Sequence, residues 1–376
     1  MFQDVVYKER IATLKKKLEP NTLYLFSNPS HITYFTGFEF LVPNEREAFF
    51  VCDTHSSTLI HTNFAPIAPS DFLNYLSGSF PFQLQSHFEK LISNLLSRRP
   101  ESAGTQTHKP QLHYDAQTLF VAELDALKEV PNIETKAMLT TFVSDLMSKK
   151  DSAEISAISK ACAISQEVFE IVQPKIVAGI TEIEIAQMIS DEFTKKGISE
   201  LAFPTIVAFG ANSAKPHHQP SGEKLEDNTV VLIDMGGKFE KYCADMTRTF
   251  WFGAKPSDEF KKIEKIVLEA YESAVSVAKS HAQKTVLAKD IDNAARSHIS
   301  NKGFGDNFIH TTGHGLGLDI HELPSLSWRN FDSITTNMTI TIEPGIYLEG
   351  NFGYRYENTV LFTETGCEIL TKSTNK

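Results

Sequence analysis

Four acidic residues stand in apolar segments that have the composition of strands. Asp234 ends the run TVVLID, and Asp245 falls within YCADMTRTFWF, which a short glycine-containing turn joins to the first run. Glu343 closes the apolar run MTITIE, and Glu357 interrupts YRYENTVLF. Burying a carboxylate is costly unless a partner compensates it, and a metal ion is one of the few partners that serves several acids at once. Together the four acids predict a metal site.

One imidazole completes this set of candidate ligands. His314 lies in FIHTTGHGLGLDIHELP, where three alternating glycines disfavour a helix. His310 and His314 are four residues apart, as in a zinc-protease helix, but the glutamate that should follow the first histidine is missing. The glycines do not match a phosphate-binding loop either, because GHGLG departs from that pattern and no helix start follows it. By itself the loop also fits three ordinary hydrogen-bonded histidines.

Four carboxylates and one imidazole form a hard, oxygen-rich ligand set. Such a set suits manganese, magnesium or cobalt-like ions and is unlike a thiolate zinc site. Because carboxylates can bridge, five ligands can hold two cations about 3.5–4 Å apart, and such a pair generates a hydroxide near neutral pH. The predicted chemistry is therefore metal-assisted hydrolysis, with a bridging hydroxide attacking a carbonyl.

The five residues and their contexts resemble the pita-bread metallopeptidases, which include methionine aminopeptidase, aminopeptidase P and prolidase. The resemblance covers the chain beyond residue 150. Upstream, RIATLKKKLEPNTLYLFSNPSHITYFTGF resembles the amino-terminal domain of the creatinase, prolidase and aminopeptidase P branch, which methionine aminopeptidases lack. The resemblance implies an α+β fold: a pita-bread catalytic domain at 148–376, preceded by a smaller α/β creatinase-type domain at 1–147.

The resemblance also implies a role for each ligand. Asp234 and Asp245 would bind one metal, His314 would bind the other, and Asp245 and Glu357 would bridge the two. Glu343 would be both a ligand and the general base. The cofactors implied are two divalent ions, with manganese expected and cobalt or zinc as alternatives.

Three further histidines are matched to the substrate. His217, in FPTIVAFGANSAKPHHQP, falls where the family has a substrate-binding histidine, and His321 matches one near the scissile amide. These two would stabilise the tetrahedral intermediate and the leaving nitrogen. His310 is expected either to contact substrate or to be structural.

Two polar residues match positions that support the ligands. Thr247 and Arg355 would orient Asp245 and Glu357. Arg355 is also expected to contact the substrate.

The segment after HELP departs from part of the family. Dipeptide-specific archaeal-type prolidases have an arginine there that binds the terminal carboxylate of the dipeptide, and this chain has Ser325. Arg329 is a possible substitute. Xaa-Pro dipeptidase and Xaa-Pro aminopeptidase activities therefore both stay open. Further alternatives are a metal-independent creatinase-like C–N hydrolase, which metal analysis would distinguish, a non-catalytic binding homologue, and a methionine aminopeptidase.

Composition excludes several other classes. The 376 residues suggest two or three domains, and Lys+Arg 36 against Asp+Glu 47 gives a net charge of −11, which disfavours nucleic acid. No apolar run approaches the roughly 20 residues that span a membrane. The four cysteines are far apart, and the first residues lack a signal-peptide pattern, so a cytoplasmic protein is expected. The expected partners are a proline-containing peptide and, from the resemblance, a second copy in a homodimer.

Local patterns predict the elements that would position these residues. Asp151 with Glu154, and Thr181 with Glu184, read as helix-start signals. Further helices are predicted at 5–18, 258–279 and 288–303, and a turn is predicted over NPSHITYFTG at 28–37. Helices grouped apart from antiparallel strands are typical of an α+β catalytic domain.

Overall fold

The structure is a computed structural model of the 376-residue chain, and it describes residues 3–42, 45–62, 72–78, 84–97, 109–139 and 141–372. The chain divides into two compact units, Met1–Leu146 and Met147–Lys376. We call these the amino-terminal and carboxy-terminal units. None of the helices in the described ranges combines the length and the apolar character needed to cross a membrane.

The first part of the chain contains both helices and strands, and three of the strands follow one another directly in the chain order of the elements. In chain order they are α1 (Asp4–Lys15), β1 (Thr22–Phe26), α2 (Pro29–Thr36), β2 (Ala48–Cys52), β3 (Ser57–Thr62), β4 (Asn74–Gly78), α3 (Leu84–Ser97), β5 (Gln111–Tyr114), α4 (Val121–Lys128), β6 (Glu134–Ala137) and α5 (Thr141–Ser148).

A mixed six-stranded sheet forms the centre of the amino-terminal unit. Its strand order is β4-β3-β2-β1-β5-β6. The pairs β1–β2 and β2–β3 are antiparallel, whereas β3–β4, β1–β5 and β5–β6 are parallel. Apolar side chains of the central strands, such as Leu23, Phe49 and Leu112, pack with Phe88 of α3 and Leu127 of α4. The predicted small α/β unit is therefore present.

Helix α2 lies where the sequence analysis predicts a turn. The Asn28 side chain accepts hydrogen bonds from the backbone N–H groups of Ser30 and His31, and Pro29 occupies the first helical position. Gly37 ends the helix with a left-handed φ of 69°. An Asn cap, an initial proline and a terminal glycine are helix-boundary residues as well as turn residues. The turn prediction for 28–37 was therefore wrong.

The second part of the chain contains four long helices and many short strands. In chain order these are α6 (Ser152–Val172), α7 (Glu182–Lys195), β7 (Ile206–Phe209), β8 (Thr229–Met235), β9 (Lys238–Phe239), β10 (Tyr242–Cys243), β11 (Met246–Phe252), α8 (Asp258–Lys279), β12 (Val286–Leu287), α9 (Ala288–Asn301), β13 (Gly313–Gly315), β14 (Glu322–Leu326), β15 (Ser333–Ile334), β16 (Thr339–Ile342), β17 (Gly345–Leu348), β18 (Phe352–Arg355), β19 (Asn358–Thr363) and β20 (Gly366–Ile369).

Two helix pairs pack on two antiparallel sheets in this unit. The three-stranded sheet β11-β8-β7 shares a core with α6 and α7, in which Val168 and Phe193 pack with Ile233. The five-stranded sheet β14-β13-β16-β19-β20 shares another core with α8 and α9, in which Val267 and Ile291 are fully buried. The predicted α+β architecture is confirmed.

The predicted helix starts are confirmed by reciprocal hydrogen bonds. The Asp151 carboxylate accepts from the Glu154 backbone N–H at 2.9 Å, and the Glu154 carboxylate accepts from the Asp151 N–H at 2.9 Å. Thr181 and Glu184 form the same arrangement at the start of α7. Helix α8 has the predicted bounds, and α9 ends at Asn301, two residues before the predicted end.

Candidate metal centre

Asp234 and Asp245 lie at the same end of one antiparallel strand pair, β8 and β11. Asp234 lies on β8, directly opposite Thr247 of β11. Asp245 was predicted inside a strand, but it lies in the break between β10 and β11. Its carbonyl group accepts a hydrogen bond from the Thr359 hydroxyl at 2.8 Å. The Asp245 side chain is buried at this position.

Glu357 is fixed by bonds to β11. Its backbone N–H donates to the Thr247 carbonyl at 3.2 Å, and the Thr247 hydroxyl donates to Glu357 Oε2 at 2.6 Å. The buried Arg248 guanidinium also donates to the Glu357 carbonyl at 2.6 Å. Like Asp245, Glu357 falls between two strands, here β18 and β19. The threonine and the arginine therefore set the position of a buried carboxylate.

His314 lies on β13, a strand that glycines allow to approach its neighbours closely. A Cβ at Gly313 would lie 1.9 Å from the Thr341 carbonyl oxygen, and one at Gly315 would lie 2.3 Å from the Leu323 carbonyl oxygen. Only glycine fits such contacts, which accounts for the glycines on either side of His314. The prediction that His314 is not helical is confirmed.

The His314 ring presents one nitrogen to the acids. Its Nδ1 lies 3.1 Å from the Gly315 carbonyl, which only accepts hydrogen bonds, so Nδ1 is the donor. Burial lowers the pKa of His314 below its ordinary value and so favours the neutral ring. In that ring Nε2 has a free lone pair, as a metal ligand requires.

Glu343 follows β16 and is held by its neighbours. Its backbone N–H donates to the Thr312 carbonyl at 2.8 Å, and the Thr341 hydroxyl donates to Oε1 at 3.3 Å. The same hydroxyl accepts from the His314 N–H at 3.0 Å. Thr341 therefore links a predicted base to a predicted ligand, and the sequence analysis did not identify it.

The structure brings the predicted ligands together. His314 Nε2 lies 3.6 Å from Asp245 Oδ2 and 3.4 Å from Glu343 Oε1. One ligand atom each from Asp245, His314 and Glu357 lie within 4.8 Å of one another. Asp234 joins them, since its charge raises the pKa of the Asp245 and Glu357 carboxyl groups.

Two oxygens in this cluster have no hydrogen-bond partner in the described part of the chain. They are Asp234 Oδ1 and Glu357 Oε1, and both are buried. The second oxygen of each group is satisfied, Oδ2 by Arg355 and Oε2 by Thr247. A buried carboxylate oxygen without a donor is costly, and a cation would compensate it.

The electrostatics also favour a cation. Burial, and then repulsion from neighbouring carboxylates, raises the pKa of Asp245 well above its ordinary value. The same two causes, in the same order, raise the pKa of Glu357 well above its ordinary value, and burial raises that of Glu343. Acids that repel one another in a buried site are stabilised by bound positive charge. The residues present therefore fit one or more divalent metal ions.

A guanidinium, a phenol and an imidazole form a hydrogen-bonded chain beside the acids. Arg355 is buried, and it donates to Asp234 Oδ2 at 2.6 Å, to Thr247 Oγ1 at 3.0 Å and to the Tyr347 hydroxyl at 2.8 Å. Arg355 was predicted to orient Asp245 and Glu357, but its direct carboxylate contact is Asp234. The sequence analysis did not identify Tyr347, because a tyrosine in an apolar strand is ordinarily a core residue.

His310 stands at the other end of this chain. Its Nδ1 lies 2.7 Å from the Thr311 carbonyl, and its Nε2 lies 2.8 Å from the Tyr347 hydroxyl. Both ring nitrogens are thus engaged within the protein. This geometry favours the structural alternative for His310 over direct substrate contact.

His217 and His321 differ from His310 and His314 because they are exposed. The His321 ring centroid lies 4.4 Å from that of His314, in an edge-on arrangement. Burial, His314 and the more distant His217 lower the pKa of His321. The two exposed histidines are therefore close enough to interact electrostatically, next to a ligand.

Ser325 and Arg329 lie in the segment that departs from part of the family. Ser325 pairs with His314 across β13 and β14. Arg329 is exposed, and its guanidinium lies 5.2 Å from the centroid of the Trp328 ring. Among the described residues no carboxylate is within salt-bridge distance of Arg329.

Comparisons with known proteins identify relatives that are peptidases, which agrees with the hydrolytic chemistry predicted for the acid-rich site. The sequence pattern of metallopeptidase family M24 matches residues 156–364, which contain all five predicted ligands. An uncharacterized peptidase of Staphylococcus epidermidis is 35% identical over 367 residues, covering 96% of this chain and 99% of the relative. This chain belongs to metallopeptidase family M24, and it is therefore a peptidase.

Solved structures of related enzymes have the same fold over almost the whole chain. An Xaa-Pro dipeptidase from Bacillus anthracis superposes with a TM-score of 0.85 at 28% identity, covering 98% of this chain and 99% of that one. An X-Pro aminopeptidase from Thermotoga maritima superposes with a TM-score of 0.81 at 31% identity, covering 97% and 99%. The resemblance to the proline-specific pita-bread enzymes is confirmed.

Proposed function

We propose that this protein is a dinuclear-metal exopeptidase that hydrolyses the Xaa-Pro bond at peptide amino termini. The observation that carries the proposal is the cluster of Asp234, Asp245, His314, Glu343 and Glu357, in which two buried carboxylate oxygens find no donor among the described residues. The Xaa-Pro specificity is supported by the dipeptidase and aminopeptidase that share the fold.

The five side chains would hold two divalent ions. In this proposal Asp234 and Asp245 would hold one ion, His314 would hold the other, and the Glu343 and Glu357 carboxylates would complete the ligand set. Bound cations would polarise the scissile carbonyl and supply a hydroxide near neutral pH. We propose manganese as the ion, because oxygen-rich sites with one imidazole suit it.

Glu343 is the proposed proton acceptor. Thr341 holds its carboxylate, and Oε1 lies 3.4 Å from His314 Nε2, so the base is next to a ligand. A positioned carboxylate would take the proton of the attacking water and later deliver it to the prolyl nitrogen, with a contribution of about 10²–10⁴-fold.

His217 and His321 are the proposed substrate contacts. Both are exposed, and the His321 ring packs against that of His314, so an incoming peptide reaches them without rearrangement of the core. As hydrogen-bond donors they would orient the scissile carbonyl and stabilise the charge that develops on it.

Replacing the proposed base tests this assignment. We expect Glu343→Gln, which keeps the shape of the side chain, to lower kcat by at least about 100-fold without changing the fold. Glu349→Gln is the matched control, since Glu349 is exposed six residues further on. Near-normal activity of Glu343→Gln in steady-state assays would eliminate Glu343 as the base.

Substrate length is tested by comparing Ala-Pro with Ala-Pro-Ala. The protein is stripped with chelator and restored with manganese before both assays. Cleavage confined to Ala-Pro makes it a dipeptidase, and efficient cleavage of Ala-Pro-Ala makes it an aminopeptidase. If neither peptide is cleaved in a metal-dependent way, the Xaa-Pro proposal fails. Light scattering tests the homodimer that we also propose, which a single monomeric peak would contradict.

A further inference from the structure

Glu182 binds both ends of the segment that carries His217. We call this segment, residues 209–221, the histidine loop. Glu182 is the first residue of α7, and its side chain is completely buried. At the beginning of the loop, its Oε1 accepts from the Phe209 backbone N–H at 2.8 Å and from the Asn212 side-chain amide at 3.0 Å. At the end of the loop, its Oε2 accepts from the Ser221 N–H at 2.8 Å and from the Ser221 hydroxyl at 2.6 Å.

The same carboxylate binds the residue next to His217. Glu182 Oε2 lies 2.8 Å from His218 Nε2, and the His218 side chain is only 10% exposed. Burial acts to raise the pKa of Glu182, but hydrogen bonds from Ser221, His218 and other loop groups outweigh it and hold the pKa below its ordinary value. Glu182 is therefore ionised and can only accept, so His218 Nε2 is the donor.

The two adjacent histidines have opposite environments. His218 points inward to a buried anion, whereas His217 is exposed on the side of His321. Because consecutive Cα atoms are about 3.8 Å apart, fixing the His218 side chain also restricts the backbone from which His217 projects. The bond between His218 and Glu182 therefore restricts the positions that the exposed His217 side chain can adopt.

The histidine loop is also tied to the strand that carries Arg355. Ser213 Oγ accepts from the Gly353 N–H at 2.8 Å. A Cβ at Gly353 would lie 2.1 Å from the Ser213 carbonyl oxygen, so the loop and β18 are in direct backbone contact. The loop is thus held by β18, the strand that carries Arg355, and by Glu182.

We propose that Glu182 and His218 are positioning residues that hold His217 in place for the substrate. The inference rests on the proposed function, in which His217 contacts the peptide. In this proposal His218 acts only by positioning His217, and it contacts neither the substrate nor a metal. Because His218 donates a hydrogen bond to the Glu182 carboxylate, another side chain with a donor at position 218 should preserve part of the positioning of His217.

A double-mutant cycle tests the coupling. The variants are His217→Ala, His218→Ala and the double variant, assayed with Ala-Pro-Ala in manganese. We expect His218→Ala to lower kcat/KM by about 10- to 100-fold, because small misplacements cost that much. When His217 is already alanine, the additional His218→Ala substitution should lower kcat/KM by less than about 2-fold, because the effects of coupled residues are not additive. An equal loss in both backgrounds, or no loss in either, would overturn the proposal. Rescue of at least half of the lost rate by His218→Gln is expected.

Hydrogen exchange provides a readout that does not depend on activity. We expect His218→Ala and Glu182→Gln to speed exchange of the Phe209 and Ser221 amides while peptides bearing Asp245 and Glu357 stay unchanged. Glu184→Gln is the matched control, because Glu184 lies in the same helical turn and its hydrogen bonds are to Thr181, at the start of the helix and outside the histidine loop. If the wild-type protein cleaves no Xaa-Pro peptide, the proposed function is wrong. The exchange rates alone then test whether Glu182 and His218 anchor the histidine loop. Unchanged exchange at both amides would refute it.

Discussion

Replacing Asp245 by Asn should stabilise the metal-free protein, although most changes at buried positions destabilise. Asp245 is buried, and ligand atoms of Asp245 and Glu357 lie within 4.8 Å. At an effective dielectric constant of about 20, Coulomb's law gives a repulsion of about 3.5 kcal/mol for two unit charges at that distance. Proton uptake by the cluster relieves part of this repulsion. We therefore expect a gain of about 1–3 kcal/mol at pH 7 in chelator.

The pH dependence of this gain follows from the direction of the pKa shifts. The pKa values of Asp245 and Glu357 are raised in the folded protein, so the native state binds protons more tightly than the unfolded state. The stability that these groups provide is complete below their ordinary pKa of about 4 and is lost as the pH rises through the folded values. The chelated wild type should therefore lose stability as the pH rises above about 4, and Asp245→Asn should lose less.

In manganese the wild type should become more stable than Asp245→Asn, which reverses the order of stability expected in chelator. A ligand at 1,000 times its Kd adds about 4.1 kcal/mol to the folded state, which exceeds the gain of about 1–3 kcal/mol expected for Asp245→Asn, and only the wild type keeps the full ligand set. Calorimetric unfolding in chelator and in manganese measures both effects. Asp227→Asn, at an exposed turn, is the control and should change stability by less than about 0.5 kcal/mol. A loss of more than about 1 kcal/mol for Asp245→Asn in chelator would refute the argument from repulsion.

Two further substitutions test how the ligands are supported. Gly313→Ala places a Cβ 1.9 Å from a carbonyl oxygen of β16, so it should cost at least about 1–3 kcal/mol in thermal unfolding and displace His314. Gly222→Ala, where a Cβ meets nothing within 4 Å, should change stability by less than about 1 kcal/mol. Thr247→Val removes the hydroxyl that bonds Glu357, and we expect manganese affinity in a competition titration to fall about 10- to 100-fold. The exposed Thr365→Val should leave that affinity unchanged, and equal affinities of the two variants would contradict the role of Thr247.

The candidate ligands could be proposed from sequence because a carboxylate in an apolar strand is conspicuous. The structure adds that Asp245 and Glu357 lie in strand breaks, which composition does not reveal. Of the groups that support the site, the family resemblance indicated Thr247 and Arg355, but Thr341, Tyr347 and Glu182 were not predicted, since each acts across a long sequence separation. Thr341 bonds the His314 backbone, and Glu182 bonds His218 across 36 residues of chain. Only the folded topology makes such residues neighbours, whereas capping residues such as Asp151 depend on local spacing and were identified directly.

The charge of the cluster favours two divalent ions over one. Four carboxylates and the buried Arg355 guanidinium leave three negative charges, since burial keeps His314 neutral. One divalent ion would leave a negative charge in a buried site, which is costly. Two divalent ions leave one positive charge, which a single hydroxide neutralises. Metal analysis of protein restored with manganese should therefore approach two ions per chain, and full thermal stabilisation by one equivalent would show that a single ion satisfies the site.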